Sequence, residues 1–195
     1  MQAKPLLLAC LLAGSAQAID YSKVTLDKIT IVDASTSNMP GKAFQAATLM
    51  AAPVARLCTI IQDYADYPSF MPNVGKAQVT RTGDDFSVVD MTLDLPLGKV
   101  KKYRLRLEPK IASQSCRLSW KQLPWEEVKI EDTIADTSGY WQLSASPADP
   151  SKTIVEYYVY ADPGLVPFGF RWIVDMMSER SLPKTLEAVR SKAAQ

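Results

Sequence analysis

Hydrophobic residues recur along this chain with two different periods, which separate a helical region from an extended one. The apolar residues that follow Pro53 recur at helical spacing: Val54, Leu57, Ile61 and Tyr64. Proline suits the first position of a helix, because its missing N–H has no partner there anyway. Residues 63–72 then form an aromatic loop bounded by prolines, and from residue 75 to 162 the period becomes two. The pattern predicts a helix followed by antiparallel strands with one apolar and one polar face.

The clearest alternation, over residues 86–107, predicts a β-hairpin. Apolar residues share one parity over 89–97 and again over 103–107. Residues that pair across the hairpin lie on the same face of the sheet. The two apolar sets therefore share a face only if each residue pairs with one of the same parity, so that the two residue numbers sum to an even value. We expect a three-residue loop, Leu97-Gly98-Lys99, which meets this condition and brings opposite charges together on the polar face. The predicted cross-strand pairs are Asp94 with Lys102 and Asp90 with Arg106.

The C-terminal region predicts a long helix, roughly 168–193, whose two halves differ. Apolar residues form a narrow stripe over 182–193, as on a helix that rests on a sheet. Residues 168–177 are apolar nearly all round, so this half must be covered on most sides or line an apolar space. Pro183 separates the halves and is expected to kink the helix. With about seven antiparallel strands before this helix, the fold class is α+β.

The N-terminus has the features of a cleavable secretion signal. Lys4 supplies the positive charge, and residues 6–13 are apolar but too short to span a bilayer. Ala16-Gln17-Ala18 is a small-x-small cleavage motif. Cleavage is expected between Ala18 and Ile19, so that residues 1–18 are a signal peptide and the mature protein is exported, to the periplasm of a bacterium.

Composition narrows the function classes. The 195 residues suffice for one domain, expected over 19–195, with residues 19–41 as an N-terminal extension that contains a short strand. The 22 basic and 21 acidic residues nearly balance, which gives no field to attract nucleic acid. The absence of histidine excludes His-dependent nucleophilic catalysis and removes the commonest zinc ligand. Without a phosphate-binding glycine loop or a metal-ligand cluster, we expect no cofactor and no metal.

Two cysteines remain in the mature chain, Cys58 and Cys116. An even pair in an oxidising compartment permits a disulfide. Both residues have apolar neighbours, however, which suits two buried free thiols equally well. The sequence leaves both arrangements open.

Short motifs in a fixed order are similar to those of one superfamily. They are the 63–72 loop, Leu93-Asp94-Leu95-Pro96, Gly139-Tyr140-Trp141-Gln142-Leu143, Ala161-Asp162-Pro163-Gly164, Ser181-Leu182-Pro183 and Leu186-Glu187-Ala188-Val189-Arg190. Together, over residues 24–192, they resemble the START-like superfamily (SRPBCC, polyketide cyclase and coenzyme Q-binding), and in particular exported bacterial START-domain proteins. The resemblance implies a helix-grip fold, in which a curved antiparallel sheet wraps around the C-terminal helix. A tunnel between them would hold a lipid or another apolar molecule.

Inward-facing residues of the strands and of the first half of the helix form the candidate ligand-binding set. Core packing explains any single member as well, but together several of them should line a cavity if one exists. Buried Trp and Tyr also need partners for their N–H and O–H groups, which a ligand or a trapped water can supply. The set is Met91, Leu93, Tyr103, Leu105, Leu118, Trp120, Trp141, Tyr157, Phe170, Ile173 and Met177. No residue is assigned a catalytic role.

Proline, glycine and aromatic residues at the start of the predicted helix indicate an apolar hinge at the tunnel mouth. We expect Pro167, Phe168, Gly169 and Trp172 to move when ligand enters and to touch a membrane transiently. A tight turn that docks the helix is the alternative. The lysines of the 99–102 turn could meet anionic headgroups, with a solvated turn as the alternative.

These observations predict an exported, monomeric binding protein that holds or carries a hydrophobic ligand, expected to be a lipid, between sheet and helix. Carriage requires no chemistry, so no enzyme activity is expected. The alternative is a cyclase or aromatase-type enzyme, in which the same tunnel shapes a polyketide-like substrate by proximity. A third reading is an interaction module whose own side chains fill the cavity.

Overall fold

The computed structural model describes residues 19–164 and 181–195, and these ranges contain eight strands and three α-helices. The strands are β1 (Thr30–Asp33), β2 (Lys42–Met50), β3 (Val74–Thr82), β4 (Ser87–Leu95), β5 (Lys99–Ala112), β6 (Ser115–Leu123), β7 (Asp136–Ser146) and β8 (Asp149–Asp162). The helices are α1 (Val54–Gln62), α2 (Tyr67–Phe70) and α3 (Leu182–Ala193).

The strands form one curved, unclosed antiparallel sheet in the order β1-β2-β8-β7-β6-β5-β4-β3. The α+β helix-grip architecture predicted from the sequence is confirmed. The strand count is eight rather than about seven. The two edge strands carry the weakest sequence signal, because β1 has only four residues and β3 is exposed along most of its length. A strand with little buried surface shows little alternation.

Helices α1 and α3 contact each other and cover part of the concave face of the sheet. Helix α1 buries Val54, Leu57 and Ile61 as the helical spacing predicts, but it ends at Gln62, so Tyr64 of the predicted face lies in the 3-10 turn after it. Helix α3 buries Leu182, Leu186 and Val189. A disulfide between Cys58 and Cys116 fastens α1 to β6. Of the two arrangements that the sequence left open, the structure has the bonded one.

The β4–β5 hairpin forms, but its predicted register is wrong by two residues. Leu95 pairs with Lys99, so the loop is Pro96-Leu97-Gly98 rather than Leu97-Gly98-Lys99. Proline has no N–H to give to the strand ladder, which favours its place in the loop. Leu97 and Gly98 take left-handed backbone angles, with φ of 61° and 69°. A shift of two residues keeps every side chain on its predicted face.

The corrected register changes the charge pairs on the convex face. Asp94 lies opposite Val100 rather than Lys102, and Asp90 lies opposite Arg104 rather than Arg106. Arg104 donates two hydrogen bonds to the Asp90 carboxylate, at 2.6 and 2.9 Å. The expected attraction across the hairpin is therefore present, between different partners.

Pro183 lies in the first turn of α3, where its missing N–H costs no helix hydrogen bond. The apolar half-helix expected over residues 168–177, and the kink expected where it meets the second half, fall outside the described residues. The predicted signal peptide, residues 1–18, also lies outside them, whereas Ile19, on the other side of the expected cleavage site, is described and buried.

Candidate functional site

A cavity of about 200 Å³ lies between the concave face of the sheet, the segment 67–74 and the first turn of α3. Voids in a packed protein core are seldom larger than a water molecule, so a space of this size is more than a packing defect. The alternating strands supply its wall because every second side chain of β4 to β8 points inward.

The structure places eight of the predicted ligand-binding residues around this cavity. They are Met91, Leu93, Tyr103, Leu105, Leu118, Trp120, Trp141 and Tyr157. The other three, Phe170, Ile173 and Met177, lie outside the described residues, as do the predicted mouth residues Pro167, Phe168, Gly169 and Trp172. Ligand binding by the set stays a prediction, whereas the shared position of its described members is a structural fact.

The sequence analysis missed several parts of the cavity wall, among them the first turn of α3, and two others show why. The first is α2 and the turn after it, with Tyr67, Met71 and Val74. This segment was recognised as a motif, but no periodicity shows where an irregular loop lies. The second is Thr137 of β7, which has the parity of Trp141 and could have been found by extending that alternation toward the start of the strand.

An aromatic cluster forms one side of the cavity. The ring of Tyr157 lies 4.2 Å from that of Trp141 and 5.6 Å from that of Trp120, measured between centroids. Gly139 leaves the space that the Trp120 indole occupies, since a Cβ at this position would overlap both the indole and the carbonyl oxygen of Tyr158. The cluster is therefore held in place by packing, and a ligand would meet a preformed wall.

Hydroxyl groups inside the cavity fall into two kinds. Tyr67 donates to the carbonyl oxygen of Ile61 at 2.5 Å, and Thr137 donates to that of Tyr160 at 2.7 Å. The hydroxyls of Tyr103 and Tyr157, in contrast, make no hydrogen bond with any described residue. Burial raises the pKa of both phenols above the usual value for tyrosine, so they remain protonated at neutral pH.

The described part of the cavity wall contains no charged side chain: no Asp, Glu, Lys or Arg lines it.

Lys101, which the sequence analysis grouped with the lysines of the turn, is buried instead. Its Nζ donates to the carbonyl oxygens of Glu131 and Thr133, at 2.8 and 2.6 Å, beneath the β6–β7 connection. Desolvation on burial lowers the pKa of Lys101. The lysine thus holds a loop beside the cavity.

A scan against protein-family models finds no match, and no curated protein matches the sequence. Solved structures do match. A STAR-related lipid transfer protein from Xanthomonas axonopodis aligns with a TM-score of 0.72 at 17% identity, over 86% of this chain and 94% of that chain. Human StAR-related lipid transfer protein 5 aligns with a TM-score of 0.72 at 11% identity, over 86% and 82% of the two chains. This chain has the START fold.

A START fold does not by itself decide between carriage and catalysis. Zhui aromatase/cyclase from Streptomyces sp. R1128 also aligns with this chain, with a TM-score of 0.61 at 17% identity, over 86% of this chain and 94% of that chain.

The described residues hold no group of three or more His, Cys, Asp or Glu side chains that could bind a metal ion. Within the same ranges, no helix is long and apolar enough to cross a membrane.

Proposed function

We propose that this protein binds a hydrophobic molecule, a lipid, in the cavity beneath its curved sheet and carries it without chemical change. The observation that carries the proposal is the cavity itself, which has a preformed aromatic wall and no charged side chain among its described lining residues. Each Å² of apolar ligand surface removed from water contributes about 25 cal/mol, so burial of roughly 200 Å² gives about 5 kcal/mol toward binding. The lipid-transfer neighbours support the same function.

The proposal includes export of the protein to the periplasm. The signal-like N-terminus would deliver the mature chain, beginning at Ile19, to the periplasm as a monomer. The disulfide between Cys58 and Cys116 supports this location, because such bonds persist in oxidising compartments. N-terminal sequencing of the protein recovered from a periplasmic extract tests the cleavage site.

Transient contact with a membrane would let the ligand enter and leave. Leu97, in the β4–β5 turn, and Ile130, in the β6–β7 connection, are 85% and 78% exposed. Antiparallel pairing puts both segments at the same end of the sheet, and the bonds from Lys101 join them. Strand β8 also ends here, at Asp162, which pairs with the first residue of β7. Exposed large apolar side chains at one end favour that end for bilayer contact.

Lipid exchange between liposomes tests the contact. Replacing Leu97 and Ile130 with serine should slow the transfer of a labelled lipid while leaving its affinity unchanged. Ile111→Ser is the matched control, because Ile111 is also exposed, at 68%, but lies toward the opposite end of β5. Equal slowing by both variants would show that this end of the sheet has no special role.

Native mass spectrometry of the mature protein, followed by organic extraction, tests the binding function. We expect a hydrophobic molecule to co-purify. Met91→Trp, which fills the cavity, should abolish its binding, whereas Thr92→Trp, on the opposite face of the same strand, should retain it. A folded protein that stays empty and takes up no added lipid would refute the proposal and leave an interaction module.

The alternative function is cyclase or aromatase-type catalysis. The observation that favours it is the structural similarity to an aromatase/cyclase, together with two protonated phenols inside the cavity. Incubation with a polyketide-like precursor distinguishes the two functions, since catalysis requires a product of altered structure and carriage returns the molecule unchanged.

A further inference from the structure

The inference concerns Tyr103 and Tyr157, whose phenols donate to no described residue, and it rests on the proposed ligand-binding function. We propose that the hydroxyls of Tyr103 and Tyr157 bind an uncharged acceptor oxygen of the ligand. The ligand class is then a hydrophobic body that carries a carbonyl, ester or similar neutral oxygen, rather than a pure hydrocarbon or a free carboxylate.

The curved sheet places both phenols on the wall of one cavity. Tyr103 belongs to β5 and Tyr157 to β8, with β6 and β7 between them. On a flat sheet, three strand spacings would put them roughly 14 Å apart. They nevertheless line one cavity, and the Tyr103 phenol contributes to raising the pKa of Tyr157. Both side chains line the same cavity, so a single guest can reach both hydroxyls.

The other hydroxyls show what is unusual about this pair. Tyr67 and Thr137 line the same cavity, yet each donates to a main-chain carbonyl. Leaving a donor without a partner once water is removed is unfavourable. The side chains of Tyr103 and Tyr157 both line the cavity, so a molecule bound there can lie beside each phenol. A purely apolar guest would remove water from both donors and give nothing in return, whereas an acceptor oxygen satisfies them.

The charge of the cavity wall favours a neutral acceptor. Burial of a carboxylate is costly unless a cation lies beside it, and the described lining residues include none. The Tyr157 ring is packed against Trp120 and Trp141, so its hydroxyl is held in a fixed position. The same packing would orient the oxygen-bearing end of the ligand toward this aromatic cluster.

Three matched probes test the inference: a twelve-carbon methyl ketone, the alkane of equal length and the corresponding carboxylic acid. Each competes with an environment-sensitive apolar fluorophore bound to the mature protein. We expect the ketone to bind about tenfold more tightly than the alkane, because only the ketone offers the two phenols an acceptor oxygen. The carboxylic acid, ionised at neutral pH, should bind more weakly than the ketone.

Phenylalanine variants assign the effect to the hydroxyls. Tyr103→Phe and Tyr157→Phe together keep the rings and should reduce the ketone-to-alkane ratio to about one, without weakening alkane binding. The infrared carbonyl band of bound ketone should lie at lower frequency in the unmodified protein than in the double variant. Tyr140→Phe is the control, since that hydroxyl lies on the convex face and donates to Glu156.

The outcomes separate this inference from the proposed function. Equal binding of ketone and alkane by the unmodified protein, or a ratio that the double variant retains, overturns the role of the phenols and leaves the apolar cavity. Failure of the folded protein to bind any of the probes overturns both.

Discussion

On the convex face of the sheet, the hydroxyls of Tyr21 and Tyr140 both donate to the Glu156 carboxylate, whereas on the concave face Tyr103 and Tyr157 donate to no described residue. Water could satisfy the convex groups without help, yet the protein pairs them. On the concave face, the two phenols have no acceptor among the residues that the structure describes. The contrast supports the proposal that this pair binds a ligand, because buried donors in proteins usually have an acceptor.

The arginines of β5 show the same difference between the faces, because they lie on the convex face and have partners there. Arg104 pairs with Asp90 and lies over the ring of Trp125 at 4.6 Å, and Arg106 lies over the ring of Phe86 at 3.7 Å. Both belong to the convex face, as their parity predicted. The Arg104–Asp90 pair is half-buried, and these contacts hold both arginines on the side of the sheet away from the cavity.

The largest expected difference between the two faces comes from aromatic truncation. Trp141→Ala, on the concave face, removes a side chain that is only 3% exposed and should lower the free energy of unfolding by about 3–5 kcal/mol. Tyr158→Ala, on the convex face, removes a ring stacked on Tyr140 and should cost about 1 kcal/mol. Urea unfolding monitored by circular dichroism measures both changes. Equal losses would contradict the view that the concave aromatics form the fixed wall.

Removal of the disulfide should have the next largest effect. The bond joins residues 58 positions apart, and closing a loop of that length stabilises a fold by about 4 kcal/mol in the chain-entropy model. Replacing Cys58 and Cys116 with serine should therefore lower the free energy of unfolding by about 2–4 kcal/mol. A reducing agent should have a similar effect on the unmodified protein and none on the double variant. If reduction leaves the unmodified protein unchanged, the bond does not support the packing of α1.

Strand parity made the wall of the cavity predictable from sequence. Parity assigns a residue to one of only two faces, and a register error of two residues does not change it. Tyr103 and Trp141 are therefore placed on the correct face although the hairpin register is two residues in error. It fails for α2 and its following turn, whose positions depend on tertiary packing. Lys101 shows a different failure. Grouping it with Lys99 and Lys102 by sequence proximity ignored its shared parity with Tyr103, which places it on the inner side of the sheet.

The smallest expected effect is that of pH on ligand affinity. The tyrosine pKa values are raised on both faces, but the causes are only partly the same. Burial raises the pKa of Tyr103 and of Tyr157, so both remain donors well above neutrality. In the unfolded chain a phenol ionises near pH 10. The stabilisation from each buried phenol is thus fully present below about pH 10 and is lost as the pH rises through its folded-state pKa. On the convex face, burial and the hydrogen bond to Glu156 raise the pKa of Tyr140 to about 12.

Ketone affinity should consequently stay constant between about pH 6 and pH 9 and decrease only at more alkaline pH, where the phenols approach ionisation. Fluorophore competition across this range, with circular dichroism to confirm folding, measures the profile. The Tyr140→Phe variant should show the same profile, since its altered hydroxyl lies outside the cavity. A decrease in affinity between pH 6 and pH 9 would show that a group other than these phenols controls recognition of the ligand's oxygen.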